Sequence, residues 1–495
     1  MIRTGLLVLV LLLVSCKSEK NEIIVGSKKF TESVILGEII KYTLENSGVS
    51  ATHKKELGGT RVLFNALKAG EIDIYPEYSG TILNEILAGK RFNKFSDAVF
   101  YLDSIGIGIA ARPGFNNTYA LGIKKNKAKE LNLKNISDLN QHQDLRLGLT
   151  NEFLDRGDGW KGLRDLYQLG NMDVTGLDHD LAYVGLENGS IDVLDVYSTD
   201  AEIKYYDLAL LNDNKHYFPE YYCVILYNKS NVNRNIVEDI FQKLEGSINE
   251  SQMAELNSMV KIGKSSESEA AAMFLSKKFG IRLEKEENNV FSRLVKNSVE
   301  HIILVSVSMF LAVLISIPLG FISFYYEKAG KIVLWFTGIL QTIPSLAILV
   351  FMIPLFGIGS LPAIAALFLY SLLPIVRNTY LGLAEIPRGL RDSAIVLGLS
   401  KREIMQKIEL PLSLRSIFAG IKTASVINIG TATLGALIGA GGYGQPILTG
   451  IRLDNTSLIL EGAIPAAILA IFVQYGFDLL EKIILPRGLT TRKDD

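Results

Sequence analysis

Cysteine, histidine and nucleotide-binding motifs are all scarce in this sequence. The chain of 495 residues has 2 cysteines, Cys16 and Cys223, and 5 histidines, so neither a disulfide framework nor a Cys/His metal cluster is expected. The phosphate-binding pattern G-x-x-x-x-G-K-[ST] does not occur. The stretch Gly330-Lys331-Ile332, for example, lacks both the loop glycine and the hydroxyl residue. We therefore expect no cofactor, and any ATP hydrolysis must come from a separate subunit.

Strong charge of either sign is also lacking, and long hydrophobic runs are confined to one half. The net charge is -1 and the first half has no extended basic cluster, so the composition does not favour nucleic-acid binding. From about 21 to 289 no apolar run reaches membrane length, whereas long apolar stretches dominate from Ser298 onward. With 48% hydrophobic residues overall, this division predicts one soluble module followed by one membrane module.

The chain opens with MIRTGLLVLVLLLVSC, which is typical of an export signal. Arg3 precedes the apolar segment 6–14, which is far shorter than the roughly 20 residues needed to span a bilayer. The final LVSC resembles a bacterial lipobox, in which cleavage leaves Cys16 as a lipidated N-terminus. We expect a lipoprotein signal peptide over 1–15 and a tether over 16–21. The alternative is an ordinary signal peptide with an incidental cysteine.

The second half contains several stretches that are long and apolar enough to cross a membrane. They are 298–324, 332–356, 361–383, 413–438 and 459–482. If the soluble half is exported, an odd number of spans places the tail, 487–495, in the cytosol. The positive-inside rule agrees, because the predicted outer loops carry Arg452 alone and the predicted inner loops are rich in lysine and arginine. We expect a multi-pass protein of the cytoplasmic membrane with an extracytoplasmic soluble module.

One inner loop, 392–411, reads DSAIVLGLSKREIMQKIELP. Ala394 and Gly398 are small residues at a turn, and we expect them to let two short helices cross closely. Pro411 lacks an amide donor and suits the start of the next helix. The charged residues between these positions remain exposed to a partner. The alternative is a generic amphipathic loop.

The spacing of this loop resembles the EAA loop of ABC importer permeases. The departures are Asp392 for Glu and Ser393 for Ala. The resemblance implies a docking element for a separate ATPase subunit. The candidate coupling residues are Asp392, Ala394, Gly398, Lys401, Arg402, Glu403, Leu410 and Pro411.

Strand and helix patterns alternate through the soluble half. Short strands are predicted at VGSK, DIYPE, LGIKK, RLGLT, DVLDVY and VILY, and a helix is predicted to start at Thr31. The alternation predicts an α/β architecture with mainly parallel sheets. A module of this size plausibly forms two lobes with a ligand in the cleft between them.

The soluble half also carries a series of specific motifs. They are GSKKFTES, LGGT, GEIDIYPEYSGT, PGFNNTYAL, RGDGWKGL, VYSTDAEI and YFPEY. In order and spacing they resemble the binding proteins of the glycine betaine/choline/carnitine ABC importer family, over nearly all of 22–280. The membrane half resembles the permease of the same family. The resemblance implies a type II-like periplasmic-binding-protein fold over 22–283, a linker over 284–297 and an all-α permease of about five helices over 298–486.

A quaternary ammonium ligand would explain the aromatic residues of these motifs. Such a head has no N–H to donate, so the faces of electron-rich rings must hold it. The resemblance implies a cage of Tyr78, Tyr119, Tyr197 and Tyr221. It also implies Asn117 and Thr199 as partners of a ligand hydroxyl or carboxylate, and Asp73 and Thr60 in the wall of the first lobe.

The tyrosines have an alternative role, and two further residues, Arg156 and Asp200, have roles that the motifs leave open. A tyrosine in an α/β domain is usually a core-edge residue with a hydrated hydroxyl. Arg156 could pair with a ligand carboxylate, which would favour a zwitterionic betaine over choline. Asp200 could simply cap the helix that follows it.

The sequence thus predicts an importer subunit that carries its own receptor and works with an ABC ATPase and a second copy of itself. Its expected substrate is glycine betaine, choline, carnitine or a related trimethylated betaine such as ergothioneine. The rival functions are an importer of a polar amino acid, which would need an Arg and Asp clamp, a ligand-gated channel, and a membrane-anchored enzyme. No nucleophile motif such as G-x-S-x-G supports the last of these.

Overall fold

The computed structural model of this protein describes residues 22–90, 92, 94–233, 239–281 and 290–484. Cys16, the predicted signal peptide and the tail 487–495 lie outside the described residues, as does 284–289 of the predicted linker. The described chain forms two compact units, a receptor unit within 22–55 and 59–281 and a membrane unit that comprises 56–58 and 290–484.

The receptor unit contains two mixed five-stranded sheets. The strands are β1 Ile23–Gly26, β2 Ala51–Lys54, β3 Ile74–Tyr78, β4 Ile107–Ala111, β5 Tyr119–Lys124, β6 Arg146–Thr150, β7 Asp173–Leu177, β8 Val193–Tyr197, β9 Leu208–Leu211 and β10 Cys223–Asn228. The first sheet has the order β2-β1-β3-β10-β4 and forms lobe 1. The second has the order β7-β6-β8-β5-β9 and forms lobe 2.

The prediction of mainly parallel sheets is wrong, because each sheet combines parallel and antiparallel pairs. In lobe 1 the strand β1 pairs in parallel with β2 and β3, but β10 runs antiparallel to β3 and β4. In lobe 2 the strand β5 runs antiparallel to β8 and β9. The chain crosses between the lobes twice, through 112–118 and 212–222. Strand β5 follows the first crossing and strand β10 follows the second. Neither is reached through a crossover helix, which a parallel connection between neighbouring strands needs, so both pair antiparallel to their neighbours.

Helices cover both sheets. In the receptor unit they are α1 Thr31–Asn46, α2 Thr60–Ala69, α3 Ser79–Thr81, α4 Phe95–Ser104, α5 Lys125–Glu130, α6 Asn151–Asp155, α7 Trp160–Tyr167, α8 His179–Glu187, α9 Glu202–Tyr205, α10 Glu250–Lys261 and α11 Glu267–Phe279. A π-helical turn, Ile82–Ile86, continues α3, and short 3-10 turns lie at Ala88–Lys90, Ile136–Gln141 and Gln242–Leu244.

Helix α1 is buried on nearly all sides, because lobe 1 packs around it. It contacts β1, β2 and β3 on one side and α10 and α11 on the other. The enclosure buries polar side chains of α1, Glu32 and Glu38 among them, together with its apolar ones. As a result, the first turn of α1, which contains Glu32, is held rigidly at the cleft between the lobes.

The membrane unit is a helical bundle. Its helices are α12 Val290–Tyr325, α13 Glu327–Thr342, α14 Ser345–Phe356, α15 Ser360–Ala384, α16 Arg388–Val396, α17 Lys401–Ile404, α18 Leu410–Ala432, α19 Gly444–Arg452 and α20 Thr456–Ile484. A π-helical turn, Met405–Glu409, joins α17 to α18, and a 3-10 turn, Thr433–Ile438, follows α18. The bundle core contains Leu304, Ala312, Ile375, Ala424 and Ile429.

The described residues include 4 helical segments that are long and apolar enough to cross a membrane, or 5 if a bent pair counts as one span. The bent pair is α13 with α14, which meet at 102°. Pro344 lies at the bend and disfavours helical backbone at the residue before it. The predicted span 332–356 is therefore a broken helix. The other four predicted spans each lie within one of the apolar segments.

Candidate functional site

Seven aromatic side chains meet between the two lobes, and we call them the aromatic cluster. They are Phe30, Tyr78, Tyr119, Phe153, Tyr197, Phe218 and Tyr221. Tyr119 is central, with its ring centroid 5.0 Å from Phe153, 5.1 Å from Tyr197 and 5.6 Å from Tyr221. Phe30 connects Tyr197, at 5.8 Å, to Tyr78, at 6.2 Å. All four tyrosines predicted for the cage thus lie in one cluster.

Strand register and one glycine explain this convergence. Tyr119 and Tyr197 are direct partners across the antiparallel pair of β5 and β8, so their side chains share one face. Tyr221 packs over Gly80, where an added Cβ would lie 2.5 Å from the tyrosine ring. The glycine of the PEYSGT motif therefore makes room for the tyrosine of the YFPEY motif.

A buried carboxylate, Glu32, lies beside this cluster. Its Oε1 accepts hydrogen bonds from the Tyr78 hydroxyl at 2.5 Å and from Asn117 Nδ2 at 2.9 Å. Its Oε2 accepts from the Thr199 hydroxyl at 2.5 Å and from Asn257 Nδ2 at 3.0 Å. Burial raises the pKa of Glu32, although the hydrogen bonds that it accepts act in the opposite direction. Its position in the first turn of α1 gives it further stabilisation from the helix dipole.

The Glu32 cluster, which we define as Glu32, Tyr78, Asn117, Thr199 and Asn257, joins both lobes. Asn117 and Thr199 were predicted to contact a ligand hydroxyl or carboxylate, and they contact the protein's own carboxylate here. Sequence reasoning missed Glu32, even though it lies in the quoted GSKKFTES motif. The available signal was an acidic residue in the first turn of a helix that follows a strand.

A small cavity adjoins the cluster and is partly open to solvent. Phe30 and Tyr197 provide aromatic walls, while Glu32, Asn117 and His179 provide polar ones. A cleft with aromatic faces and a few convergent polar groups is the usual form of a small-molecule site.

Arg156 already has carboxylate partners in this structure. Its Nε and Nη2 donate to the two oxygens of Asp158, at 2.8 and 2.6 Å, and its Nη1 donates to Glu85 at 2.8 Å. The guanidinium also lies 5.6 Å from the ring of Tyr119 and 5.9 Å from that of Tyr221. A cation therefore rests against two rings of the aromatic cluster.

Asp73 and Thr60 lie apart from the aromatic cluster in their described contacts. Asp73 accepts from the backbone N–H of Ile24 at 2.8 Å and from Asn231 Nδ2 at 2.6 Å, so it ties strand β1 to a distant turn. Thr60 is buried at the start of α2. Neither forms a ring contact or a bond to Glu32 among those described, and we leave both out of the proposed site.

Asp200 does not cap the helix that follows it. Its Oδ2 accepts from the backbone N–H of Tyr197 at 2.8 Å and from the Tyr183 hydroxyl at 2.7 Å, and lies 3.0 Å from His179 Nε2. The His179 ring lies 4.6 Å from that of Tyr197. Burial lowers the pKa of His179, but Asp200 outweighs it, and the pKa is raised to about 10. His179 was also missed at the sequence level.

One buried group resembles a catalytic triad. His53 lies 2.8 Å from Glu38 Oε1 and 2.8 Å from the Ser27 hydroxyl. Ser27 and Glu38 are buried, the side chain of His53 is 2% exposed, and Lys55 pairs with Glu38 at 2.8 Å. With Ser27 completely inaccessible, no substrate reaches its hydroxyl, and the group acts as an internal hydrogen-bond network of lobe 1.

The predicted coupling loop folds as a pair of short helices. Gly398 has a φ of 80°, a left-handed conformation that favours glycine. A Cβ added to Gly398 would meet no atom within 4 Å, so Gly398 forms the turn and does not mediate a close helix crossing, contrary to our expectation. Ala394 is buried within the pair, while Asp392, Lys401 and Arg402 are exposed.

Other residues of the loop have structural contacts. Glu403 forms a capping box with Ser400 at the start of α17. Leu410 and Pro411 begin α18, as predicted for the proline. The tip carries three apolar residues that sequence reasoning did not select. Ile395, Val396 and Leu397 are 61%, 85% and 78% exposed.

An ion pair fixes this loop to the end of a membrane helix. Arg391 Nε donates to Glu409 Oε1 at 2.8 Å, and the hydroxyl of Tyr325, the last residue of α12, donates to the other oxygen of Glu409. The guanidinium of Arg391 also lies 4.6 Å from the ring of Phe324. A displacement of the loop would therefore be transmitted to α12.

Comparison with known proteins identifies both units. Residues 21–277, more than half of the chain, match the family described as the substrate-binding domain of ABC-type glycine betaine transport systems. Residues 302–488 match the binding-protein-dependent transport system inner membrane component. The predicted family and the predicted fusion of a receptor with a permease are confirmed.

Curated relatives cover the membrane unit. The glycine betaine/carnitine/choline transport system permease protein OpuCB of Bacillus subtilis is 40% identical over 195 residues, 39% of this chain and 90% of the relative. The osmoprotectant import permease protein OsmW of Salmonella typhimurium is 40% identical over 38% of this chain and 91% of the relative. A crystal structure titled as a glycine betaine/carnitine/choline ABC transporter is 28% identical, with a TM-score of 0.45, over 52% of this chain and 98% of that one.

Proposed function

This chain belongs to the family of substrate-binding domains of ABC-type glycine betaine transport systems, and from that premise we propose that it imports a quaternary ammonium compound. It carries the receptor and the membrane component of an ATP-driven importer. The candidate substrates are glycine betaine, choline, carnitine and a related betaine such as ergothioneine. The names of the relatives, which refer to glycine betaine, carnitine and choline, support this class.

The aromatic cluster is the observation that carries the proposal. Tyr78, Tyr119, Tyr197 and Tyr221 come from both lobes and the crossing segment between them, so a ligand held by their rings would also hold the lobes together. The position of the Arg156 guanidinium supports this assignment, because two of these ring faces already accept a cation. With three of its donor nitrogens bound to Asp158 and Glu85, Arg156 acts in this proposal as a wall of the site.

Ligand binding by the full chain tests the substrate class. We would purify the protein in a maltoside detergent and titrate it by calorimetry with choline, glycine betaine, carnitine, ergothioneine and their demethylated analogues. Binding restricted to trimethylated ligands, weakened at least roughly 30-fold by Tyr119→Ala and by Tyr197→Ala, is expected. Tyr205→Ala is the matched control, since Tyr205 is 63% exposed on lobe 2. Preference for an amino acid would contradict the proposal.

We further propose that the helical pair at 388–411 docks an ATPase subunit in the cytosol. The exposed tip residues Ile395, Val396 and Leu397 supply an apolar contact, and Lys401 and Arg402 supply charge beside it. An exposed apolar tip of this size is typical of a protein interface. The contacts of Arg391 and Glu409 with α12 give the docked ATPase a route to the membrane helices.

ATP hydrolysis by the reconstituted importer tests the docking surface. Replacing Val396 and Leu397 with serine should abolish ligand-stimulated hydrolysis and leave ligand affinity unchanged. Lys331→Ser changes a charge outside this loop and serves as the control. Normal stimulation by the tip variant would place the docking surface elsewhere.

We also propose that the working importer contains two copies of this chain, with domain limits of 22–283 for the receptor and 298–486 for the permease. The matched ranges 21–277 and 302–488 support these limits. A tethered receptor works at high effective concentration and does not need tight binding in trans. Native mass spectrometry of the complex should find two copies, and one copy would contradict this assembly.

A further inference from the structure

Two tyrosines of the aromatic cluster donate hydrogen bonds from their hydroxyl groups to carboxylates. Tyr78 donates to Glu32 and Tyr221 donates to Asp158, both at 2.5 Å. A phenol that donates to a carboxylate gains electron density in its ring. Because the attraction between a ring and a cation is electrostatic, such a ring holds a cation more strongly than an unsupported one.

The two carboxylates differ in what neutralises them. Asp158 forms a bidentate ion pair with Arg156. Within the described ranges of the chain, the Glu32 carboxylate forms no ion pair with a lysine, arginine or histidine. Lys28, the nearby cation of the same motif, pairs with Glu77, and its Nζ lies 5.5 Å from the centroid of the Tyr78 ring. Glu32 is thus fully hydrogen-bonded without an ion-pair partner.

The partners of Glu32 favour its ionised form. The Tyr78 and Thr199 hydroxyls and the Asn117 and Asn257 amides are placed to donate, two to each carboxylate oxygen. Together these four donors offset part of the cost of burying the charge, which by itself raises the pKa of Glu32. Glu32 is only 3% exposed, so its charge acts in a region of low dielectric where electrostatic effects are strong.

Building on the proposed function, we propose that Glu32 is the counter-ion of the bound quaternary ammonium head and acts through the ring of Tyr78. Glu32 is then a positioning and specificity residue. The site recognises the positive charge of the ammonium head in addition to the shape of its methyl groups. Glu32 also lines the cavity beside Phe30 and Tyr197, which keeps its charge close to a ligand bound there.

The test compares each cation with a neutral molecule of the same shape. The probes are choline and glycine betaine, together with their tert-butyl analogues, in which carbon replaces the ammonium nitrogen. Affinities are measured by calorimetry on the full chain in detergent. Glu32→Gln should weaken binding of the cationic head roughly 3-fold to 30-fold, the range of one cation–π contact, and should change binding of the neutral analogue far less. The ratio of the affinity for the cation to the affinity for its neutral analogue should therefore fall.

Tyr78→Phe provides the second variant, because it removes only the hydroxyl. It should lower the same ratio, and the double variant should lower it no further than the larger single effect, since both changes act through one ring. Glu38→Gln is the matched control. Glu38 is another buried glutamate of α1, but it bonds to His53, so its loss should lower the melting temperature and leave the ratio unchanged.

Three outcomes would overturn the inference. If Glu32→Gln and Tyr78→Phe weaken both probes equally, Glu32 only supports the fold. If the effects of the two variants add, Glu32 does not act through Tyr78. If the unmodified chain binds no quaternary ammonium compound, the proposed function fails first, before any variant is compared. If the Glu32→Gln variant does not fold, the affinity ratio measured for Tyr78→Phe tests the inference by itself.

Discussion

The receptor cleft and the core of the membrane bundle each contain a buried polar side chain that joins several elements, a charged one in the receptor cleft and a neutral one in the bundle core. Glu32 accepts four hydrogen bonds from both lobes. In the membrane unit, Asn428 Nδ2 donates to the Ser308 and Ser371 hydroxyls, both at 3.0 Å, and so links α18 to α12 and α15. Among the described residues, no group bonds to Asn428 Oδ1.

The difference follows from the surroundings of each cluster. Hydrocarbon offers no water to a charge, so a membrane bundle uses small and neutral polar side chains to bring helices together. The cleft of the receptor opens to water, and a cationic ligand can offset a negative charge there. A buried carboxylate is therefore useful in one unit and costly in the other.

Removing the charged group from the receptor should have the largest effect. Glu32→Leu leaves four buried donors without their acceptor, and each such donor costs about 1–3 kcal/mol, so we expect a loss of about 4 kcal/mol in the free energy of unfolding. The measurement is urea unfolding in a Trp335→Phe background, where Trp160 fluorescence reports the receptor. Glu45→Leu, at an exposed position of the same helix, should change little. A small loss for Glu32→Leu would mean that the four donors find other partners.

Introducing a charge into the membrane cluster should have the next largest effect. Asn428→Asp buries a carboxylate beside Ser308 and Ser371, at a cost of about 3 kcal/mol. Heating in detergent followed by size-exclusion chromatography should show aggregation at a lower temperature than for the parent protein. Asn428→Ser keeps a neutral polar group and is the control. Equal stability of Asn428→Asp would indicate that this position faces water, as a translocation path would.

Only the receptor should lose stability as pH rises above neutral. The pKa of His179 is raised to about 10, so the folded unit holds this proton more tightly than the unfolded chain, whose histidine pKa is about 6.5. This stability is fully present below about pH 6.5 and is lost as pH rises toward 10, and we expect a fall of about 2 kcal/mol by pH 9.

Replacing His179 with Asn should flatten this pH profile. The charged and titratable groups around His179 are Asp180, Tyr183, Asp195, Tyr197 and Asp200. Urea unfolding of both proteins at several pH values, followed through Trp160, provides the comparison. A profile that keeps its slope in the variant would assign the effect to another group.

Removing the neutral group from the membrane cluster should have the smallest effect. Asn428→Leu costs about 1 kcal/mol, because the Ser308 and Ser371 hydroxyls also donate to backbone carbonyls of their own helices. The thermal assay in detergent should show a small shift, which is independent of pH. A loss of stability as large as that of Glu32→Leu would contradict the expected difference between the two units.

Sequence reasoning selected the four tyrosines because the cage of the family could be carried over motif by motif, and folding brings their rings into one cluster. It missed Glu32, whose importance depends on Thr199 and Asn257, residues 167 and 225 positions away in the chain. Asp73 lies inside one of the same motifs, yet its carboxylate accepts from the backbone of Ile24 and from Asn231.

The membrane unit shows the same limit. Apolar length predicted the spans, but the 102° bend between α13 and α14 depends on backbone geometry around Pro344. Gly398 lies at a turn, as predicted, but the close helix crossing predicted there is wrong, because a Cβ added to Gly398 would meet no atom within 4 Å.

The sequence by itself determined the two-part organisation, the family and the tyrosines of the aromatic cluster, because hydropathy, spacing and motifs are local properties of the chain. The tertiary structure alone decided that both sheets are mixed, that Arg156 is already paired and that a buried carboxylate supports the ring of Tyr78. The pairing of the strands, the bond of Arg156 to Glu85 and the contacts of Glu32 all join residues that are far apart in the chain, and a local sequence pattern does not show which of them meet.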